Sequence, residues 1–240
     1  MRFLNAGDSA LVVEFGNEIS EAINHEIRFV TDALGRAKLA GVLDLIPTYR
    51  SILVNFDPLV TPASGIIDFV KDTFKNYGGD SSSSGGEVVE IPVLYGGEMG
   101  PDMDFICEHT KLDKGEVIRL HSSVEYLVYM LGFTPGFTYL GGMPKELATP
   151  RLAKPRAVIP AGSVGIAAAQ TGIYPVESPG GWQLMGRTPL KMFDYKRKEP
   201  FLVSAGDYLK FVPVSAEEYA VIEKAENEGC YQPKRHRKAG

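Results

Sequence analysis

The sequence predicts an α+β protein built as two domains, and three observations carry that prediction. A Gly- and Ser-rich run from Gly78 to Gly86 interrupts the chain and cannot bury apolar area. Before it, apolar residues recur at helical spacing between short strand-like runs. After it, β-prone runs alternate with Gly and Pro. The expected limits are 1–79 for a front domain, 80–87 for a flexible linker, 88–229 for a larger back domain and 230–240 for a basic tail.

In the front domain, Ser9 to Phe15 is apolar and strand-like. Ile19, Ile23, Ile27, Val30 and Leu34 then fall on one face of a helix. Val42 to Ile46 and Ser51 to Phe56 read as two strands joined through Pro47-Thr48-Tyr49. Thr61 is placed to cap a second helix with Pro62 at its first position, and Ile66, Ile67, Val70 and Phe74 form its buried face. Strand, helix, strand, strand, helix is the order of a ferredoxin-like split βαβ unit. Its fourth strand is either Glu87 to Val93 or missing.

The back domain opens with a strand from Val88 to Tyr95, a turn at Gly96 to Pro101 and a short helix to His109. A second helix starts at Asp113, with Glu116 as its capping-box partner. Helical periodicity then fades. Val124 to Phe133, Gly136 to Leu140, Ala157 to Pro160, Val164 to Ala169, Leu190 to Phe193 and Tyr208 to Val214 read as short strands of a closed or nearly closed barrel. Ala216 to Glu228 is a charged surface helix.

Composition narrows the function classes. At 44% hydrophobic and 23% charged, the chain is an ordinary globular protein. A net charge of −5 gives no electrostatic case for nucleic acid. The exception is the run Lys234 to Lys238, which is expected to be solvated and disordered. Two cysteines, Cys107 and Cys230, make no disulfide framework and have no metal-ligand spacing around them. The first residues lack a secretory pattern, and no apolar run approaches the ~20 residues of a membrane helix. A soluble, cytoplasmic protein is expected.

Chemistry-bearing residues concentrate between Phe133 and Thr188, where Gly and Pro recur around a few polar side chains. Such loops present backbone N–H groups to a ligand, or simply make tight turns, and composition leaves both open. Trp182, the single tryptophan, can stack on a planar ligand or anchor a core, the commoner outcome. His121 is the candidate proton carrier, at a helix end that favours its charged form. A lone histidine is more often structural. Arg151 and Arg156, in a proline-restrained loop, suit a carboxylate or phosphate, or make surface ion pairs. Glu98 and Asp102 flank a helix start, and capping is the simplest role for Asp102. No G-x-x-x-x-G-K-[ST] phosphate loop occurs. Ala161-Gly162-Ser163-Val164-Gly165 follows a proline and no helix signal comes after it, which argues against a hydrolase elbow.

Longer motifs give the chain a recognisable likeness. They are Gly-Asp-Ser-Ala-Leu-Val-Val-Glu-Phe-Gly at 7–16, Pro-Thr-Tyr-Arg-Ser at 47–51 and Tyr-Gly-Gly-Glu-Met-Gly-Pro-Asp at 95–102. Gly-Phe-Thr-Pro-Gly-Phe-Thr-Tyr-Leu-Gly at 132–141 and Pro-Ala-Gly-Ser-Val-Gly-Ile-Ala at 160–167 continue the pattern. Gln-Thr-Gly-Ile-Tyr-Pro at 170–175 and Ser-Pro-Gly-Gly-Trp-Gln-Leu-Met-Gly-Arg-Thr-Pro at 178–189 complete it. With them the sequence resembles the family of the 5-oxoprolinase B subunit, known also as allophanate hydrolase subunit 1 and as the sporulation kinase inhibitor KipI.

The resemblance implies a cyclophilin-like β-barrel for the back domain and pairing with a C-type subunit. With an A-type subunit, that assembly opens 5-oxoproline to glutamate at the expense of ATP. ATP is expected at the level of the complex, and no metal ligand set is evident. His121 matches a family histidine and is carried over as catalytic. Arg151, Arg156, Gln170, Tyr174, Trp182 and Arg187 are carried over as substrate-binding residues. The alternatives are an inhibitor of a sensor histidine kinase and a carboxyl-transfer subunit of a urea carboxylase or allophanate pathway. A barrel fold alone does not imply peptidyl-prolyl isomerase activity.

Overall fold

The computed structural model describes residues 1–78 and 86–238. The chain divides into two compact units, Met1–Ser84 and Gly85–Gly240. Most of the expected linker, residues 79–85, lies outside the described residues.

The front unit contains β1 (Arg2–Asn5), β2 (Ala10–Glu14), α1 (Glu21–Ala37), β3 (Val42–Pro47), β4 (Ser51–Phe56) and α2 (Ala63–Lys75). Its sheet runs β1-β2-β4-β3 and is antiparallel throughout. The alternation of β2 and β4 buries Leu11, Val13, Ile52, Val54 and Phe56, which pack with Ile27, Val30 and Leu34 of α1 and with Ile66 and Val70 of α2. Ser20 caps α1 by accepting from the Ile23 amide at 3.3 Å, so Ile19 falls outside the helix and stays exposed. Three details differ from the sequence expectation. The fourth strand is β1, from upstream of Ser9. Glu87 to Tyr95 belongs to the other unit. Thr61 does not cap α2, because its hydroxyl donates to the Ala40 carbonyl and Pro62 holds the cap position.

The back unit contains β5 (Glu87–Tyr95), α3 (Met103–Thr110), α4 (Lys114–Ser122), β6 (Glu125–Leu131), β7 (Thr138–Gly141), β8 (Arg156–Ile159), β9 (Ser163–Ala167), β10 (Gln170–Ile173), β11 (Ser178–Gly180), β12 (Gln183–Arg187), β13 (Tyr208–Pro213), α5 (Ala216–Asn227) and β14 (Arg235–Arg237). Seven strands run β10-β9-β12-β5-β13-β6-β7, with β14 also paired to β5. β13 is parallel to β5 and the other pairings are antiparallel. The ends of the path meet: a Cβ built on Gly172 of β10 would stand 3.2 Å from the Thr138 carbonyl of β7. The sheet is thus a nearly closed barrel. Its interior holds Val89, Ile91, Val128, Ile166, Ile173 and Phe211, all fully buried. β8 and β11 form a separate two-stranded ribbon.

Local chemistry sets the helix ends. Asp113 caps α4 by accepting from the Glu116 amide at 2.9 Å. The Glu116 carboxylate does not close a capping box; it grips Arg119 with two bonds of 2.7 Å. A full capping box starts α5, with Ser215 and Glu218 bonded reciprocally. α5 is not merely a surface helix, since buried Glu226 pairs with Arg197 and accepts from the Lys191 amide at 3.0 Å. Leu190 to Phe193 is not a strand; only an isolated bridge joins Phe193 to Phe201.

The basic run is the largest departure. Instead of being disordered, Arg235 to Arg237 lie antiparallel along the start of β5. Arg235 reaches Glu87 at 2.9 Å, Lys238 reaches Glu125 at 3.3 Å and His236 approaches Glu125 at 3.6 Å. Lys238 also sits 4.1 Å from the centre of the Tyr208 ring. Composition could not show this, because the acceptor carboxylates are more than a hundred residues upstream. All three residues of the strand remain exposed, so ladder bonds and screened ion pairs hold it rather than apolar burial. Deleting residues 234–238 should therefore lower the stability of the back unit by about 1–3 kcal/mol. The deficit should narrow as salt rises. Urea unfolding followed by Trp182 fluorescence at two salt concentrations measures both; identical curves for the two chains would contradict it.

Candidate functional site

β10 organises the site because side chains of a strand alternate between its two faces. Thr171 and Ile173 point into the barrel, where Ile173 is part of the main core. Gln170 and Gly172 therefore lie on the outer face, and Tyr174, next after the strand, continues that side. The residues expected to form one pocket are divided by this wall.

Inside is His121, in the last turn of α4 and wholly buried. Its Nε2 is 2.7 Å from Thr171 Oγ1 and its Nδ1 is 2.8 Å from the Tyr95 hydroxyl. Thr171 gives its one hydrogen to the Gly165 carbonyl at 3.2 Å. It must then accept from His121 Nε2–H, which leaves Nδ1 to accept from Tyr95. The chain Tyr95, His121, Thr171, Gly165 is thus satisfied at every member with a neutral imidazole. The ring stacks on Phe211 at 4.4 Å, and the Tyr126 hydroxyl donates to the His121 carbonyl at 2.9 Å.

Burial lowers the His121 pKa from 6.5 to about 3. The expectation that the helix end would favour a charged ring does not hold. A helix terminus contributes about 0.3–2 kcal/mol, whereas a shift of this size corresponds to nearly 5 kcal/mol at about 1.4 kcal/mol per unit. Burial also holds the Tyr95 phenol well above its ordinary value, so it stays a donor.

Outside, Gly165 of β9 and Gly172 of β10 are directly paired. Trp182 lies against them: a Cβ on Gly172 would be 3.1 Å from its Cζ3, and one on Gly165 3.3 Å from its Cβ. At Gly172 the indole takes the space of a side chain; at Gly165 the Gln183 carbonyl at 3.0 Å and the Trp182 Cβ crowd it. Phe137 meets Trp182 edge-on at 5.6 Å and Tyr174 edge-on at 5.8 Å, while Tyr174 and Trp182 are 6.1 Å apart. With Ile159, Leu184 and Tyr139 these rings form a second apolar cluster, an aromatic shelf on the outer wall. Trp182 is half-buried there rather than in the main core. Burial raises the Tyr174 phenol, opposed by the Trp182 backbone amide and by Arg151 and Arg156.

The two loop arginines differ. Arg156 is committed to Asp102 at 2.6 Å and reaches the Trp182 carbonyl at 3.4 Å. The other Asp102 oxygen accepts from the Leu184 amide at 2.7 Å. Asp102 is therefore not a side-chain helix cap; it clamps Arg156 to β12. Arg151 is exposed and makes no ion pair among the described residues. Its neighbours fix it beside Trp182, since Pro150 accepts from Gln183 Nε2 at 3.1 Å and the Leu152 amide donates to Gly181 at 2.7 Å. Gln170 sits at the start of β10 opposite Ala167. Arg187, at the far end of β12, donates from Nε to the Ala161 carbonyl at 2.8 Å. Sequence reasoning did not single out Tyr95 or Phe137, whose partners are 26 or more residues away.

An open groove of about 410 Å³ lies on the front unit, lined by Met1, Arg2, Glu14, Phe15, Gly16 and Asn17. Its charges are internally matched, Arg2 by Glu14, and Asn17 bonds Arg50. No cluster of three or more metal-binding side chains occurs among the described residues. Nor is any helix among them long and apolar enough to cross a membrane.

A two-unit chain with this barrel defines a class. The family model for the carboxyltransferase domain, subdomain C and D, matches residues 1–203, and the chain belongs to that family. It is 40% identical over 231 residues to the 5-oxoprolinase B subunit of Bacillus subtilis (strain 168), covering 92% of this chain and 96% of that protein. It is 42% identical over 209 residues to the 5-oxoprolinase B subunit of Escherichia coli O157:H7, covering 86% and 93%. Within the class, then, the chain is a member of the 5-oxoprolinase B-subunit family. The crystal structure of TTHA0988 has the same fold, with a TM-score of 0.76 at 34% identity over 87% of this chain; the match spans only 40% of that longer chain.

The inner chain makes a pH prediction. A folded-state pKa near 3 against an ordinary 6.5 means that the unfolded chain binds the proton first. The His121 contribution is whole above pH 6.5 and is lost as pH falls towards 3. The stability advantage of the wild type over His121→Gln should shrink by about 1.4 kcal/mol per pH unit below pH 6. Urea unfolding between pH 7 and pH 4 reads this; parallel profiles for the two proteins would exclude a neutral buried imidazole.

Proposed function

We infer that this chain is the B component of an ATP-dependent 5-oxoprolinase, working in the cytoplasm with A- and C-type subunits. The observation that supports this most is the 40% identity to a 5-oxoprolinase B subunit along almost the full length of both chains. In this reading residues 88–229 form a cyclophilin-like barrel. The front domain is a ferredoxin-like variant whose fourth strand comes from Arg2–Asn5. Water adds across the lactam carbonyl of 5-oxoproline, the ring C–N bond breaks, and the nitrogen leaves as the amine of glutamate. ATP hydrolysis drives the opening at the level of the complex. This chain carries no glycine-rich phosphate loop to hold the nucleotide by itself.

The outer shelf is the substrate face in this reading. Trp182 and Gln170 present flat and polar surface over the buried Tyr174, and Arg151 presents a cation with no ion-pair partner among the described residues. Arg156 fixes the shelf through Asp102 and Trp182. Arg187 braces the far end of β12 through Ala161. His121 serves the reaction from behind the wall, setting β10 through Thr171, since both ring nitrogens are engaged. A carboxyl-transfer role is the second reading, supported by the carboxyltransferase description of the matching family model.

Mixing the chain with purified A- and C-type subunits, 5-oxoproline and ATP should yield glutamate. Omitting this chain should remove the activity. Equal glutamate with and without it would overturn the reading, and transfer of a carboxyl group to an amide substrate would favour the second.

A further inference from the structure

The Gly132–Phe137 loop spends backbone strain on an aromatic side chain. Phe133 adopts φ +66°, a left-handed conformation that a bulky residue avoids. Glycines stand close by at 132 and 136, yet the strained position is not one of them. The loop is well tied: the Thr134 amide donates to Gly132 at 2.8 Å, the Phe137 amide to Thr134 at 3.0 Å and the Gly132 amide to Phe137 at 3.2 Å. The result is a ring 69% exposed to solvent that meets Phe137 edge-on at 5.7 Å. Phe137 in turn meets both Trp182 and Tyr174 edge-on. Phe133 therefore extends the aromatic shelf outwards, and folding alone has no use for an exposed ring on strained backbone.

Charge at the shelf is one-sided. Arg151 and Arg156 both act on Tyr174. Asp102 neutralises Arg156, so the positive charge left over is that of Arg151. The backbone on either side of Arg151 is held beside Trp182 by the Pro150 and Leu152 contacts with Gln183 and Gly181, and its charge acts on Tyr174. A planar fork of donors beside flat aromatic walls matches a carboxylate attached to a small flat ring.

We propose that Phe133, Trp182 and Arg151, seated over the buried ring of Phe137, form a slot for a planar ring carboxylate, with Phe133 covering the ring and Arg151 holding the carboxylate. The proposal deepens the 5-oxoprolinase reading above and rests on it for the choice of a cyclic amide acid as ligand. Phe133 reads the ring and is indifferent to its charge. Arg151 reads the charge and is indifferent to the ring.

Two probes separate those roles in the reconstituted complex: 5-oxoproline as substrate and 2-pyrrolidinone, the same lactam without the carboxylate, as competitive inhibitor. Arg151→Gln should raise the KM for 5-oxoproline about tenfold or more, the effect of losing one charge-assisted contact, and leave 2-pyrrolidinone inhibition unchanged. Arg151→Lys should restore part of the loss. Phe133→Ala should weaken both ligands alike, by about tenfold, with kcat little altered. Both side chains are exposed, so the variants should fold as the parent does. Wild-type KM and inhibition in both variants of an active complex would overturn the slot and leave the 5-oxoprolinase reading standing. An inactive wild-type complex would instead overturn that reading. Titration of the isolated chain then decides the slot, with a saturable change in Trp182 emission on adding 5-oxoproline supporting it and a flat response rejecting it.

Discussion

The contact of Trp182 with two paired glycines is the constraint on which the outer site depends. Gly165 and Gly172 face each other across β9 and β10; the indole of Trp182 occupies the space over Gly172 and its Cβ, with the Gln183 carbonyl, the space over Gly165. That single placement brings Phe137 and Tyr174 into edge-on contact with the indole. It also sets the strand behind it. With Gly172 outward, Thr171 must point inward, to the one position from which it can bond His121.

The same wall thus carries two different kinds of chemistry. Its inner face carries a buried polar chain in which every member has a partner, from Tyr95 through His121 and Thr171 to the Gly165 carbonyl. Such a chain is stable only while complete, since an orphaned buried group costs about 1–3 kcal/mol. Its outer face is apolar and partly open, with the uncommitted cation of Arg151 at its edge. A proton carrier at His121 and a ligand at Trp182 are separated by the thickness of a strand. In the proposed reading, that division leaves His121 to position the outer face rather than to touch the ligand.

Much of the architecture was legible in the sequence because hydrophobic period and turn residues are local signals. The stripe Ile23, Ile27, Val30, Leu34 and the alternating run Ser51–Phe56 became α1 and β4. What stayed hidden depended on partners far along the chain. β10, β11 and β12 read as turns because their glycines serve close packing rather than chain reversal. Without β10 as a strand its side-chain parity is invisible, and the sequence puts His121 and Trp182 in one pocket. Asp102 read as a cap because Arg156 is 54 residues away, and the basic run read as loose because Glu87 is 148 residues from Arg235. The unequal standing of Arg151 and Arg156 is likewise a property of the fold and not of their shared loop.

The central claim is that the ligand face of this protein is the outer shelf around Trp182. As the sole tryptophan of this chain, Trp182 can be replaced by 5-hydroxytryptophan in this subunit alone and its iodide quenching read selectively in the assembled complex, where the anion is drawn to Arg151. Saturating 5-oxoproline should shield Trp182 and reduce quenching severalfold, while glutamate formation proceeds. Quenching that is unchanged at saturating 5-oxoproline, in a complex that is turning over, would contradict the account and put the substrate elsewhere.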